Sequence, residues 1–289
     1  MATVIDKSAD MRAWADSIRT SGSTIALVPT MGALHRGHLE LIDAGSKLAD
    51  HVVVSIFVNP LQFGEQADFD HYPRPLADDL RACDGAGVEV VYAPTAASMY
   101  GVGFSTTVHV TGLTDTMEGA SRPGHFDGVS TVVTKLFSAV RPHIAVFGEK
   151  DFQQLAIVRR LTVDLDLGID VVGHPTLREP DGLALSSRNR LLSKSQRAAA
   201  VCVSQALAAG RDAASAGDSS VIQVIDAAAR VIDAQPLAEL DYVAVVDALT
   251  LHPIEAFAVD QHRPGRVRIA IAVRFGDVRL IDNADLFAS

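Results

Sequence analysis

Ile25-Ala26-Leu27-Val28-Pro29-Thr30-Met31-Gly32-Ala33-Leu34-His35-Arg36-Gly37-His38 runs from an apolar stretch through a turn and into Leu39-Glu40-Leu41-Ile42-Asp43-Ala44. Ile25 to Val28 reads as a buried strand, Pro29 to Gly32 as a breaker-rich turn, and about Gly37–Ala49 as a helix. His35 and His38 thus sit three apart at a strand-to-helix turn, a spacing that puts them on one helix face. The first helical turn offers unpaired backbone N–H groups and the positive end of the macrodipole. Gly37 has no side chain, so a flat base or ribose can approach the backbone there. The combination suits the phosphates of a nucleotide; the competing reading is a pair of ordinary surface histidines.

Working outward, the same alternation continues. Val52–Val58 is a second continuous apolar strand, Leu76–Ala86 a helix stopped by Gly87, and Val88–Tyr92 a third strand. Gly128–Val140 reads as a helix closed by Pro142, Ile144–Phe147 as a strand, Phe152–Leu165 as a helix and Ile169–Val172 as a strand. Continuous apolar strands separated by helices imply a parallel sheet covered on both faces. In such sheets ligands bind beyond the carboxyl ends of the strands. His35, Gln62 and Lys150 each follow a predicted strand, so three loops are expected to converge on one crevice. After about Gly173 the pattern changes. Ser193–Ala216 reads as one alanine-rich helix and Ser219–Ala234 as a second. Leu240–Val246, Val267–Arg274 and Val278–Ile281 follow as strands, the last two joined by a Gly276-Asp277 hairpin. The expected division is 1–173, a nucleotide-binding α/β domain, and 174–289, a smaller α+β domain closing over the site. Thr176–Arg190 would connect them and line the crevice, with a hinge near Gly173–Thr176.

Composition narrows the function classes. Hydrophobic residues make up 48%, charged residues 21%, and the net charge is −10. That is a globular chain whose acidity argues against a broad nucleic-acid footprint while allowing a local cationic pocket. Cys83 and Cys202 lie in no metal-binding spacing and read as small buried apolar residues, which fits a reducing cytoplasm. Met1 to Asp10 has charges and no apolar core, so it does not read as a signal peptide, and no run approaches the length of a membrane span.

Several further stretches bear chemistry, each with a plainer alternative. Gln62, in Asn59-Pro60-Leu61-Gln62-Phe63, carries donors and an acceptor suited to a hydroxy acid, or is a turn residue in solvent. In Gly148-Glu149-Lys150-Asp151-Phe152-Gln153-Gln154, Lys150 can offset charge on a phosphate. Gln154 lies a helical turn further on, and Asp151 either caps the helix or takes part in chemistry. Asp181-Gly182-Leu183-Ala184-Leu185-Ser186-Ser187-Arg188-Asn189-Arg190 is a phosphate clamp or a solvated linker before a helix capped by Ser193. Arg122 and His125 face either a partner subunit or the nucleotide. Asp78 and Asp79 either hold Mg²⁺ on a triphosphate or mark an acidic helix start.

Taken together, Pro29-Thr30-Met31-Gly32-Ala33-Leu34-His35-x-Gly37-His38, Phe57-Val58-Asn59-Pro60-x-Gln62-Phe63, Arg122-Pro123-Gly124-His125-Phe126-x-Gly128-Val129, Gly148-Glu149-Lys150-Asp151-x-Gln153-Gln154 and Asp181-Gly182-Leu183-Ala184-x-Ser186-Ser187-Arg188-Asn189 resemble the pantothenate synthetase (pantoate–β-alanine ligase) family, among the nucleotidyl-transferring enzymes with a His-x-Gly-His signature. The motifs occur in the family's order and cover most of Ile25 to Arg190; the remainder matches in length and type. Leu177 stands where valine is usual, and Leu185 is one of two common choices beside methionine. The resemblance implies a Rossmann-like domain and ATP-dependent joining of pantoate to β-alanine through pantoyl adenylate, with Mg²⁺ on the triphosphate. It further implies a cytoplasmic homodimer that acts on small molecules, with no nucleic-acid or membrane partner. By the same resemblance His38, His35 and Lys150 are catalytic. Met31, Gly32, Ala33, Leu34, Arg36, Gly37, Gly148, Glu149, Asp151, Leu177, Leu185, Ser186, Ser187 and Arg188 line the nucleotide. Gln62 and Gln154 hold pantoate, and Asp78 touches the metal. One rival is another nucleotidyltransferase acting on a phosphorylated substrate, against which the uncharged Gln62 and Gln154 argue. The other is a nucleotide-binding regulator without chemistry, against which His35, His38, Lys150 and Arg188 argue.

Overall fold

The run Ile25–Thr30 forms strand β2, with Ile25, Ala26, Leu27 and Val28 all at 0% exposure. A strand this apolar on both faces belongs in the middle of a covered parallel sheet. In the computed structural model, which describes residues 2–64, 69–70, 72–216, 220–258 and 261–288, β2 pairs in parallel with β3 (His51–Ile56) on one side and β5 (Ile144–Gly148) on the other. With β1 (Thr3–Ile5), β4 (Val90–Tyr92) and β6 (Asp170–His174), the sheet has six strands in the order β1-β4-β3-β2-β5-β6, every pair parallel. Strand order reverses between β2 and β5, the switch point beyond whose carboxyl ends ligands bind in such sheets.

The strands and helices expected between Ile25 and Val172 are present, with shifted ends. Helix α2 is Arg36–Leu48, α3 is Leu76–Gly85, and α5 is Phe152–Asp164. Helix α4 begins at His125, three residues earlier than the pattern suggests, and runs to Val140. Gly124 at φ 78° supplies the left-handed entry, and Arg141, also left-handed, ends the helix before Pro142. The N-terminal strand β1 and helix α1 (Ser8–Thr20) have no counterpart in the sequence reading. β1 is three residues long, and α1 buries only Met11 and Ala15, too thin a stripe to stand out.

The chain divides into two compact units, one of Met1–Glu149 with Ile157–Pro175 and one of Lys150–Ala156 with Thr176–Ser289, the division passing through α5. The second unit contains helices α6 (Lys194–Ala199), α7 (Cys202–Ser215) and α8 (Val221–Asp233), then an antiparallel sheet β7-β8-β9. Its strands are Glu239–Asp247, Val267–Phe275 and Val278–Asp285. The single alanine-rich helix expected over Ser193–Ala216 is corrected to α6 and α7. At the junction the Val203 N–H bonds to Ala200 O, one residue short of the α pattern, and the ladder breaks at Ala200-Val201. Helix α8 starts at a Ser220–Gln223 capping box; Ser219, which the pattern placed in this helix, lies outside the described residues. Val224, Ala228 and Ile232 on α8 pack with Ile269, Ile271 and Val273 of β8 in one core. Gly276 at φ 61° turns the two-residue hairpin that pairs Phe275 with Val278.

Each unit buries one free cysteine, Cys83 and Cys202. Burial pushes both thiols up to about 11, with the charge of Asp79 adding to the effect at Cys83. No described helix is long and apolar enough to cross a membrane.

Candidate active site

At the carboxyl end of β2 the chain makes a tight turn. Thr30 Oγ1 accepts the Gly32 N–H at 3.1 Å and donates to Ser55 O at 2.7 Å. Gly32 and Ala33 then both take positive φ, 82° and 50°. The buried Asp79 carboxylate on α3 accepts the Ala33 N–H at 2.9 Å and the Leu34 N–H at 2.7 Å.

The two histidines do not share a helical face as their spacing suggested. His35 is the extended N-cap of α2, and only His38 lies within the helix. His35 Nδ1 accepts the Gly37 N–H at 3.1 Å, and His38 Nδ1 accepts the His35 N–H at 3.3 Å. The pair is a capping box built from two imidazoles, with rings stacked at 4.1 Å between centroids and 29° between planes. A ring nitrogen that accepts an N–H carries no proton, so each neutral ring keeps its proton on Nε2. Two Nε2–H donors at a helix N-terminus can meet an anion.

Beyond β3, Gln62 is buried instead of standing in solvent. Its Nε2 lies 2.8 Å from Met31 Sδ, which joins the β2 and β3 loops. Its Oε1 accepts from Asn59 Nδ2 at 3.2 Å, and the same Asn59 amide donates to Gly128 O at 3.0 Å. The Tyr100 hydroxyl donates to Asn59 Oδ1 at 2.6 Å, and burial pushes the Tyr100 phenol up. Arg122 and His125, for which the sequence leaves a partner and the nucleotide both open, contact the Gln62 carbonyl: His125 Nδ1 at 2.8 Å and Arg122 Nη2 at 3.3 Å.

Beyond β5, Gly148 is followed by a single 3₁₀ turn, Glu149–Asp151. Lys150 Nζ lies 3.4 Å from Asp151 Oδ1, with its side chain 17% exposed. Within the second unit, Asn283 Nδ2 on β9 donates to the Lys150 carbonyl at 2.8 Å, and Arg268 donates to Asn283 Oδ1 at 3.3 Å while stacking over Phe152. Gln153 is buried and Gln154 half-buried.

Thr176–Arg190 is a closed loop with its own hydrogen bonds, not an open linker. The Leu185 N–H meets Leu177 O at 2.9 Å, Glu179 N–H meets Leu183 O at 2.8 Å, and Arg178 bridges to Ala184. Arg178 also forms a fork with the buried Asp282, at 2.6 and 3.0 Å. Ser186 caps the 3₁₀ turn Ser187–Leu191 by accepting the Arg188 N–H, and Asn189 ties that turn back to Ala184. Ser193 caps α6, as the plainer reading of this segment expects. Asp78 is exposed and paired with Arg81. Among the described residues no group of three His, Cys, Asp or Glu side chains is arranged to hold a metal ion.

The family model described as pantoate-beta-alanine ligase matches residues 3–285. The chain belongs to the pantoate-beta-alanine ligase family. It is 49% identical to a pantothenate synthetase of Geobacter sulfurreducens over 98% of each chain. It is 51% identical to one of Mycolicibacterium smegmatis, over 97% of this chain and 86% of that one. The crystal structure of a pantothenate synthetase from Thermus thermophilus covers the whole of both chains with TM-score 0.91 at 43% identity. A Francisella tularensis pantoate-beta-alanine ligase, solved in complex with beta-gamma ATP and beta-alanine, aligns with TM-score 0.80 and 30% identity over 100% of this chain.

For this member of the pantoate-beta-alanine ligase family, sequence reasoning passes over the residues that hold the others. Asn59 stands out only as part of a motif, Asp79 reads with Asp78 as an acidic pair, and Asn283 does not stand out at all. One signal is available: Asp79 and Cys83 are four apart on α3 and both buried, so Asp79 has to face inward and find donors. Nothing local marks Asn283, whose partner lies 133 residues away.

Proposed function

We propose that the protein is an ATP-dependent ligase that condenses (R)-pantoate with β-alanine. In the first step a pantoate carboxylate oxygen attacks the α-phosphorus of ATP. The bond from that phosphorus to the bridging oxygen breaks, and its electron pair leaves with pyrophosphate. In the second step the amine of β-alanine attacks the acyl carbon of pantoyl adenylate. The carbon–oxygen bond to AMP breaks, the amine loses a proton, and pantothenate and AMP are released. No covalent enzyme intermediate is required; the work is placing two anions together and offsetting charge.

In this scheme His35 and His38 donate through Nε2–H to the triphosphate as charge moves onto pyrophosphate, His38 being the proton donor. Lys150 offsets charge at the α-phosphate, and Ser186, Ser187 and Arg188 clamp the β- and γ-phosphates. Met31, Gly32, Ala33, Leu34, Arg36 and Gly37 contribute to the nucleotide site, as do Gly148, Glu149, Asp151, Leu177 and Leu185. Gln62 and Gln154 hold pantoate, Gln62 lying also near β-alanine. Mg²⁺ enters with ATP as part of the substrate, Asp78 being its only proposed protein contact. We take the enzyme to be a cytoplasmic homodimer on the family resemblance, its two free thiols fitting a reducing compartment.

The observation that carries the proposal is the stacked His35–His38 capping box after β2, in a loop whose Met31 is met by the buried Gln62 amide. Pantoate-dependent exchange of labelled pyrophosphate into ATP, without β-alanine, tests it. Exchange that requires pantoate supports an acyl adenylate; no exchange with active protein refutes it.

A further inference from the structure

We infer that Asp79 is a positioning residue for the nucleotide loop, acting through the backbone of Ala33 and Leu34 on His35 and His38; this rests on the function proposed above. Asp79 is 2% exposed, and each of its oxygens accepts one backbone N–H, at 2.9 Å from Ala33 and 2.7 Å from Leu34. Bonds from N–H groups to a carboxylate are about twice as strong as neutral ones. They hold a segment that would not hold itself: Gly32 and Ala33 both have positive φ, and Ala33 has a Cβ, which that region disfavours. The fit is close. A Cβ on Gly32 would stand 2.8 Å from Asp79 Oδ2 and 3.1 Å from Ile56 Cγ2, so the carboxylate fills the place a side chain would take. Leu34 directly precedes His35, whose N–H is the one that His38 Nδ1 accepts. Fixing the Leu34 N–H therefore fixes the Ala33–Leu34 peptide plane, one residue before the N–H from which the two-imidazole cap is hung. Each oxygen serves one backbone N–H donor, which makes the carboxylate a brace for the loop.

Asp79→Asn tests this in the whole enzyme. An amide offers one oxygen where two N–H groups need acceptors, and sets an NH₂ against the other. The expected result is a folded protein whose kcat/KM for ATP in single-turnover adenylation falls about 10- to 100-fold. Attack of β-alanine on supplied pantoyl adenylate should stay near the wild-type rate. Combined with His38→Ala, the losses should fall short of the product of the single effects, because both changes act on one device. Ring ¹⁵N spectra should show His35 and His38 shifted in Asp79→Asn. Asp79→Glu keeps the charge but is too long for the space under Gly32, and gives the same expectation should the asparagine variant not fold. A folded Asp79 variant with wild-type adenylation, equal losses in both half-reactions, or full multiplicativity with His38→Ala would overturn the inference. If wild-type protein makes no adenylate from pantoate, the proposed function falls by itself. The ring spectra still decide the role of Asp79: unchanged His35 and His38 signals in either variant overturn it.

Discussion

In the proposed mechanism His35 and His38 do structural and chemical work with the same rings. Their Nδ1 atoms cap α2, and this fixes the tautomer that a nucleotide would meet. Ring ¹⁵N spectra of the free enzyme at neutral pH should therefore show the unprotonated nitrogen at Nδ1 in both residues; an Nδ1–H signal from either would contradict the capping geometry. Lys150 is held differently. Its carbonyl is anchored by Asn283, while its side chain pairs with Asp151. Lys150→Ala keeps the backbone anchor, so the fold should survive while single-turnover adenylation drops on the order of 100- to 1,000-fold, as for loss of a charge-stabilising donor. A folded variant with normal adenylation would remove Lys150 from the mechanism.

At the scale of elements, the site depends on how α4 meets the turn after β3. A Cβ on Gly128 would lie 2.3 Å from Leu61 O and 2.7 Å from Gln62 N, so the helix can seat the Asn59–Gln62 turn only with glycine there. Gly128→Ala should move Gln62 and raise KM for pantoate about 10- to 100-fold, since a displacement near one ångström is costly at a reacting site. An unchanged KM would show that Gln62 does not hold pantoate. The elements themselves are largely legible in the sequence. β2 and β3 announce themselves as unbroken apolar runs, and Gly276-Asp277 marks its hairpin. What is not legible depends on contacts distant in sequence. β1 exists because Thr3 to Ile5 find Val90 to Tyr92, and the break between α6 and α7 leaves no trace in a run of alanines. The same holds for the candidate residues. His35, Gln62 and Lys150 can be picked by chemistry and strand-end position, whereas Asn59, Asp79 and Asn283 are defined by the partners they find in the fold.

At the scale of the molecule, each compact unit has its own core. In the second, Ile232 on α8 is at 0% exposure among residues of α7 and β8. Ile232→Ala should cost about 2–5 kcal/mol of stability by removing a buried side chain and leaving a cavity. Denaturant unfolding measures this, and a loss below about 1 kcal/mol, less than the transfer term alone, would contradict the burial of Ile232 in this core. Ligation of pantoate to β-alanine is a property of the whole enzyme, and one assay reads it out. Purified protein is given ATP, Mg²⁺, D-pantoate and β-alanine, with each acid omitted in turn, and AMP and the acid product are followed by mass spectrometry. Stoichiometric AMP and pantothenate are expected, with sustained AMP release requiring both acids. Sustained AMP release without β-alanine, or a stable nucleotide-linked product in place of pantothenate, would contradict it.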